Sequence, residues 1–384
     1  MAPRLAAESG ERLIDGSGKT LLPGLIDVHV HLTFGALSMK EMLSPMLSQG
    51  VIMEKVGGGA ASMLLRGFTS VRDAGGPIFP LKAQIDAGAL AGPRIWPSGA
   101  TISQTAGHGD FRSPDERSRK FFGEVSRAER MQATFIADGR PEVLTAVREN
   151  LRFGASQIKL MAGGGTSSAY DPVDVTQYTL DEMQAAVEAA EDWGTYVMVH
   201  AYTPRAVQKA IRAGVKCIEH GQILDKKTLR MMKRKGVWLS TQNLVESTPD
   251  MDPLRVEKRK PVIEGQEKLW PLAKKMNLKI AWGTDFLFEP ELNTQQNAYI
   301  LRLQRWFTNA EVLQLITYNN GQLLQLSGKR SPYPGLLGVV EEGAFADLIV
   351  VDGNPVEDLA LIAAPETRFL LIMKDGQVVK DLLQ

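Results

Sequence analysis

Short apolar runs alternate with amphipathic stretches from about residue 20 onward. Eight runs stand out: GLIDVHVHL (24–32), FTSVRDAG (68–75), RIWPSGA (94–100), SQIKLMA (156–162), TYVMVHAY (195–202), VKCIEHG (215–221), VWLSTQN (237–243) and LKIAWGTD (278–285). Parallel strands covered on both faces read as near-continuous apolar runs, whereas half-exposed strands alternate with polar residues. The stretches between have helical period. Thr179 with Glu182 three residues on makes a capping-box signature, ahead of an apolar face of Met183, Ala186, Val187 and Ala190. Gly194 offers a stop, and Thr203, Pro204 and Gly214 punctuate the next helix in the same way. Strands alternating with helices predict an α/β chain folded as a (β/α)8 TIM barrel.

Two regions break the alternation. Residues 104–140 form a long charged insertion, expected to lie over the barrel mouth as a lid. After about residue 335 the pattern changes to short β-strands with Asp-Gly turns, in GLLGVVEEGAFADLIVVDGNP and TRFLLIMKDGQVVK. The expected division is therefore a barrel over 21–335 and a small β-sandwich built from the chain ends, 1–20 and 336–384.

Composition narrows the classes. Lys+Arg and Asp+Glu are both 44, giving a net charge of zero, and no basic stripe with interleaved aromatics suggests a nucleic-acid partner. No run of about twenty apolar residues exists to cross a bilayer, so no membrane partner is expected. MAPRLAAESGERLIDG lacks the apolar core of a signal peptide. The expectation is a soluble protein, cytoplasmic as written, or periplasmic or secreted if a leader was removed. Cys217 is the sole cysteine, which excludes an intrachain disulfide and reads as packing within its strand.

The chemistry lies at the ends of the apolar runs. His29 and His31 are two apart on one strand, so both imidazoles share a face. His200 and His220 end the fifth and sixth runs and Asp285 ends the eighth, while Lys159 stands inside the fourth among Ile158, Leu160 and Met161. In a barrel those ends converge on one mouth. Four histidines, an aspartate and a lysine there suit a metal site of the zinc or manganese type. Two adjacent metals need a bridging anion, and a neutral lysine amine can take up carbon dioxide to become a carbamate. A bridging water would then become a hydroxide nucleophile, with Asp285 taking its proton and passing it to the leaving group.

Taken in order, LLPGLIDVHVHL, QIKLMAGGG, VMVHAY, CIEHGQ and AWGTD resemble the amidohydrolase superfamily over the chain from about residue 10. FADLIVVDGNP resembles the closing β-sandwich of its imidazolonepropionase-like branch. GHGD (107–110) and HAY (200–202) resemble its binuclear Xaa-Pro dipeptidase and carboxypeptidase group, which includes ochratoxin-hydrolysing amidases. The resemblance implies two divalent metal ions, zinc foremost. His29 and His31 would bind the first, a carbon dioxide-derived carbamate on Lys159 would bridge, His200 and His220 would bind the second, and Asp285 would complete the first. It implies that Tyr202 hydrogen-bonds the carbonyl oxygen as it becomes an oxyanion and that His108 holds the substrate's carboxylate or carbonyl. Tyr170 and Arg205 are further candidate substrate contacts. A small-molecule amide or peptide substrate and a homo-oligomer, an octamer by resemblance, are expected as partners.

The expected activity is hydrolysis of an amide next to a carboxylate-bearing group, in a dipeptide, an N-acyl amino acid or an ochratoxin A-like amide. The alternative is a mononuclear deaminase or imidazolonepropionase-type cyclic amide hydrolase, which would not use Lys159. A non-catalytic scaffold would have lost ligands, and all six are present. The segment before the first barrel strand is shorter than the resemblance implies, so the sandwich is expected to be reduced or to lack its first strands.

Overall fold

All eight apolar runs contain strands in the computed structural model, which describes residues 13–42, 44, 46–168, 170–244 and 251–383. The chain-order strands are β1 (Thr20–Pro23), β2 (Leu25–Val30), β3 (Phe68–Asp73), β4 (Arg94–Pro97), β5 (Thr101–Ser103), β6 (Thr134–Ile136) and β7 (Ile158–Met161). They continue as β8 (Val197–Ala201), β9 (Cys217–His220), β10 (Trp238–Thr241), β11 (Ile280–Trp282), β12 (Leu348–Val351), β13 (Phe369–Lys374) and β14 (Gln377–Asp381). The parallel strands form a seven-stranded sheet, β11-β10-β9-β8-β7-β5-β6, and a three-stranded sheet, β2-β3-β4. The eight predicted strands are thus distributed over two ladders rather than one closed ladder.

Side chains explain the two seams. Between β11 and β2, the amide of Asn320 stands in for the ladder: its Nδ2 donates to Ile26 O at 2.6 Å and Trp282 O at 2.8 Å, and its Oδ1 accepts from Trp282 N. One backbone bond spans the same seam further on, Asp285 N to His29 O at 2.8 Å. Between β4 and β7, Pro97 has no N–H to donate; Ser156 N reaches Pro97 O, and Gln157 Nε2 reaches Trp96 O. The two sheets still share one interior, because Ile26 and Val28 of β2 pack with Met198, Cys217, Trp238 and Ala281 of β8 to β11.

Period-two alternation divides each strand between that interior and the outer helices. In β8, Val197 and Val199 face the helix-packed core while Met198 faces inward. In β7, Ile158 and Leu160 belong to the outer core, which leaves Lys159 on the inner face, 1% exposed. Both predicted helices form with their caps. Leu180–Asp192 carries the Thr179–Glu182 capping box, and Pro204–Ala213 starts at Thr203 and stops at Gly214 with φ +105°.

β5 and β6 lie outside the eight strands the pattern predicts. Each is three residues long, and Thr101–Ser103 directly follows the run at 94–100, so it does not stand out as a separate run. β6 lies within the 104–140 insertion, which also forms short helices at Arg119–Phe122 and Arg127–Arg130. Arg127 ties the insertion to the segment after His31 by donating to Met42 O and Ser44 O.

β1, β12, β13 and β14 make one antiparallel sheet from both ends of the chain. Asp375 and Gly376, both at positive φ, turn β13 into β14 as the Asp-Gly signal predicts. Phe369, Ile349, Val351 and Ile372 of this sheet join the same core as the parallel strands. The expected β segment over 1–20 falls largely on residues 1–12, which lie outside the described residues. No helix among the described residues is long and apolar enough to cross a membrane.

Candidate metal centre

His29, His31, Lys159, His200, His220 and Asp285, drawn from five strand ends, meet in one buried cluster. Asp285 Oδ1 lies 3.3 Å from Nε2 of both His29 and His31, which confirms that the two imidazoles share a face. Lys159 Nζ lies 3.4 Å from His29 Nε2. The ring centroids of His29 and His220 are 5.2 Å apart, and those of His200 and His220 are 4.4 Å apart. Ligand-capable atoms of His29, His220 and Asp285 all fall within 4.8 Å of one another.

Two backbone features aim these groups. By alternation His220 should share the outward face of Ile218, but its φ of +77° turns the chain so that its ring joins the cluster. Asp285 also has positive φ, +56°. Such conformations are costly outside glycine and persist where surrounding structure enforces them. Gly283 permits the close approach of this segment to β2, since a Cβ there would fall 2.5 Å from His29 N.

Each histidine spends one ring nitrogen on an acceptor away from the cluster. His31 Nδ1 meets Gly75 O at 2.9 Å, His200 Nε2 meets Gly164 O at 3.0 Å, and His220 Nδ1 meets Gln242 Oε1 at 2.6 Å. His29 Nδ1 meets a carboxylate instead, Glu219 Oε2 at 2.7 Å. A ring nitrogen engaged this way leaves the other free to ligate, the usual arrangement of metal-binding histidines. The chemistry of the donor set and these outer bonds fit divalent metal ions.

The electrostatics agree. Burial pushes the Lys159 ammonium below the ordinary lysine value, against the opposing pull of Glu219 and Asp285. Burial holds His200 and His220 well below the ordinary imidazole value, so they are neutral donors. For Asp285, burial is outweighed by His29, His31 and His220, which keep it well below the usual carboxylate range.

A second group borders the cluster. The Tyr202 ring lies 5.0 Å from that of His200 and 5.1 Å from that of His220. Burial raises the Tyr202 phenol, which therefore keeps its proton. His108, at the root of the insertion, stacks on His200 at 3.9 Å, with its Nδ1 2.9 Å from Ser168 Oγ and 3.4 Å from Asp171 Oδ2. The glycine run after Lys159 makes that stack possible: a Cβ on Gly165 would fall 1.9 Å from His108 Cε1. Tyr170, 51% exposed, and Arg205, exposed on the helix Pro204–Ala213, stand at the surface and are not brought into the cluster.

The sequence reading passes over four residues that the structure places here. Arg72 and Glu219 interrupt apolar runs just as Lys159 does, so the same anomaly could have flagged them. Gln242 and Asp171 carry no comparable signal, since polar residues at strand ends and in loops are ordinary.

Known proteins resemble this chain over most of its length. Ochratoxinase of Aspergillus niger is 29% identical over 371 residues, spanning 94% of this chain and 75% of that protein. The crystal structure of a prolidase complexed with N-methylphosphonate-L-proline superposes with a TM-score of 0.88 at 34% identity, covering 98% of this chain and 91% of the other. That of a Xaa-Pro dipeptidase with bound methionine gives 0.81 at 28% identity, with 98% and 91% covered. The Amidohydrolase family model matches residues 20–380. With a match of that extent, the chain belongs to the amidohydrolase family.

Proposed function

We propose that this protein is a binuclear metal-dependent hydrolase that cleaves an amide bond next to a carboxylate-bearing group, in a dipeptide, an N-acyl amino acid or an ochratoxin A-like amide. The observation that carries the reading is Lys159, buried on the inner face of β7 with its Nζ 3.4 Å from His29 Nε2. A mononuclear deaminase-type site gives a lysine at that depth no task. The two similar structures holding N-methylphosphonate-L-proline and methionine, and the similarity to ochratoxinase, support a carboxylate-bearing substrate. We read 21–335 as a (β/α)8 barrel opened at two side-chain-bridged seams, with 1–20 and 336–384 forming the small β-domain.

His29, His31 and Asp285 would hold one ion and His200 and His220 the other, with Lys159 between them. When bound, such ions supply Lewis acidity at the scissile carbonyl and a water acidic enough to attack at neutral pH. Lys159 contributes as an anion: its neutral amine adds carbon dioxide and releases one proton, giving a carbamate. Burial favours that neutral amine. Asp285, whose side chain remains 23% exposed, takes the proton of the attacking water and delivers it to the leaving nitrogen. Tyr202 donates its phenolic hydrogen to the carbonyl oxygen as charge develops there. His108, held by Ser168 and Asp171, presents its remaining ring nitrogen to the substrate's carboxylate.

The test combines metal analysis of the purified protein with a hydrolysis screen of Xaa-Pro and other dipeptides, N-acyl amino acids and ochratoxin A. Two divalent ions per chain and chelator-sensitive hydrolysis of one of these classes are expected. A chain that neither carries metal nor gains activity on zinc addition would reject the reading.

A further inference from the structure

We propose that Glu219, backed by Arg72, is the positioning residue that orients His29 toward the metal centre. The inference rests on the metal-centre reading above and goes beyond it by assigning a task to an ion pair outside the ligand set.

Glu219 precedes His220 in β9 and, sharing the inner face with Cys217, points into the interior shared by the two parallel sheets. Its two oxygens are divided. Oε2 accepts from His29 Nδ1 at 2.7 Å, and Oε1 accepts from Arg72 Nη2 at 2.7 Å and from Cys217 Sγ at 3.0 Å. Glu219 and Arg72 are both 0% exposed. Arg72 also donates from Nε to Val28 O at 2.6 Å, from Nη1 to the Tyr196 hydroxyl at 3.0 Å and from Nη2 to Ser240 Oγ at 3.2 Å. One guanidinium therefore grips both the carboxylate that holds the His29 ring and the carbonyl that precedes His29 in the chain.

Packing alone does not account for this pair. Apolar side chains of similar volume usually fill an interior as well as a buried ion pair does, because desolvating two charges offsets most of their attraction. The contrast with the other ligands is the specific observation. His31, His200 and His220 lean on neutral acceptors, two backbone carbonyls and a side-chain amide. His29, which faces both Asp285 and Lys159 through Nε2, leans on a charged one. A carboxylate acceptor fixes the ring's tautomer and rotation more firmly than a neutral acceptor. Arg72 balances the charge, so the carboxylate stays an acceptor without adding net charge to the centre.

The experiment compares the full-length parent with Glu219→Gln, which keeps size and removes charge. Zinc affinity is measured by chelator competition at one pH, the cobalt-loaded visible spectrum is recorded, and the far-downfield imidazole N–H proton resonance is followed in water. Thermal unfolding of the metal-free proteins is run alongside. Expected are about 10- to 100-fold weaker retention of one of the two ions, an altered cobalt spectrum and loss of the His29 N–H resonance. Two ions held with parental affinity and an unchanged cobalt spectrum would overturn the inference alone. A parent that takes up no ion overturns the metal-centre reading and this inference with it. If Glu219→Gln does not fold because Arg72 is left unpaired, the double variant Arg72→Met/Glu219→Gln removes both charges. Weakened metal retention in that folded double variant supports the role, and parental retention refutes it.

Discussion

Lys159 occupies a position that alternation assigns to the inner face of β7, where its neighbours on β8 and β9 are Met198 and Cys217. Burial that would expel a lysine from a core here lowers its affinity for the proton, and that change makes carbamate formation accessible. Lys159→Ala should lose hydrolysis and part of the bound metal, with short carboxylic acids restoring some activity by supplying the missing anion. Full activity without such rescue would end the bridging role. Tyr202 makes a different prediction because it borders the histidines without offering a ligand atom to them. Tyr202→Phe should lower kcat by about 10²- to 10³-fold, the usual cost of one oxyanion donor, with metal content unchanged. An unaltered kcat would remove it from catalysis.

At the scale of elements, motifs flanking the strands do more than the strands themselves. The stretch AGGGTSS after β7 looks like a phosphate cradle without the lysine-serine pair of one. The structure gives it two tasks: Gly164 O accepts from His200 Nε2, and Gly165 leaves room for the His108 ring. Gly165→Ala should displace His108 while sparing the metal ligands. Steady-state kinetics should show a raised KM with metal content near parental, and an unchanged KM would mean that His108 does not contact substrate. That Lys159 and His200 lie on inner faces, and that His29 and His31 share one face, was legible from period two; that the His29–His31 pair turns inward was not, because Ile26 and Val28 already face the interior and a register shift between Asp27 and Val30 breaks the alternation. The orientation of His220 was not, because it depends on a positive φ at a non-glycine residue that no local pattern announces. β5 and β6 escaped for a different reason: Thr101–Ser103 directly follows the run at 94–100, and Thr134–Ile136 lies inside the charged insertion, so neither stands out as a separate run.

Across the molecule, the antiparallel sheet is locked to the parallel strands by Arg94 at the start of β4. Its guanidinium pairs with buried Asp347 and, at 2.9 Å, with Asp375 in the β13–β14 turn, and lies 4.1 Å from the centroid of Phe345. Arg94→Met strands a buried carboxylate and should destabilise the protein by about 3–5 kcal/mol, measured by denaturant unfolding. The candidate metal centre lies at the other end of the strands, so metal content in the folded fraction should not change. A loss within about 0.5 kcal/mol, the range of a neutral surface substitution, would mean that this pair does not join the two sheets.

The order of strands and helices, the two capped helices, the Asp-Gly hairpin and the identity of the ligand candidates follow from the sequence by itself, since each depends on period, capping or turn chemistry within a few residues. Only the tertiary structure decided how the eight strands pair, because the seams are bridged by the side chains of Asn320 and Gln157, which reach carbonyls 38 to 294 positions away in the chain. It likewise decided that Tyr170 and Arg205 stand apart from the cluster, and that Glu219 and Arg72 support it. The Arg72–Glu219 and Glu219–His29 contacts join residues 147 and 190 positions apart. Local pattern carries no information about such distances until packing brings the strands together.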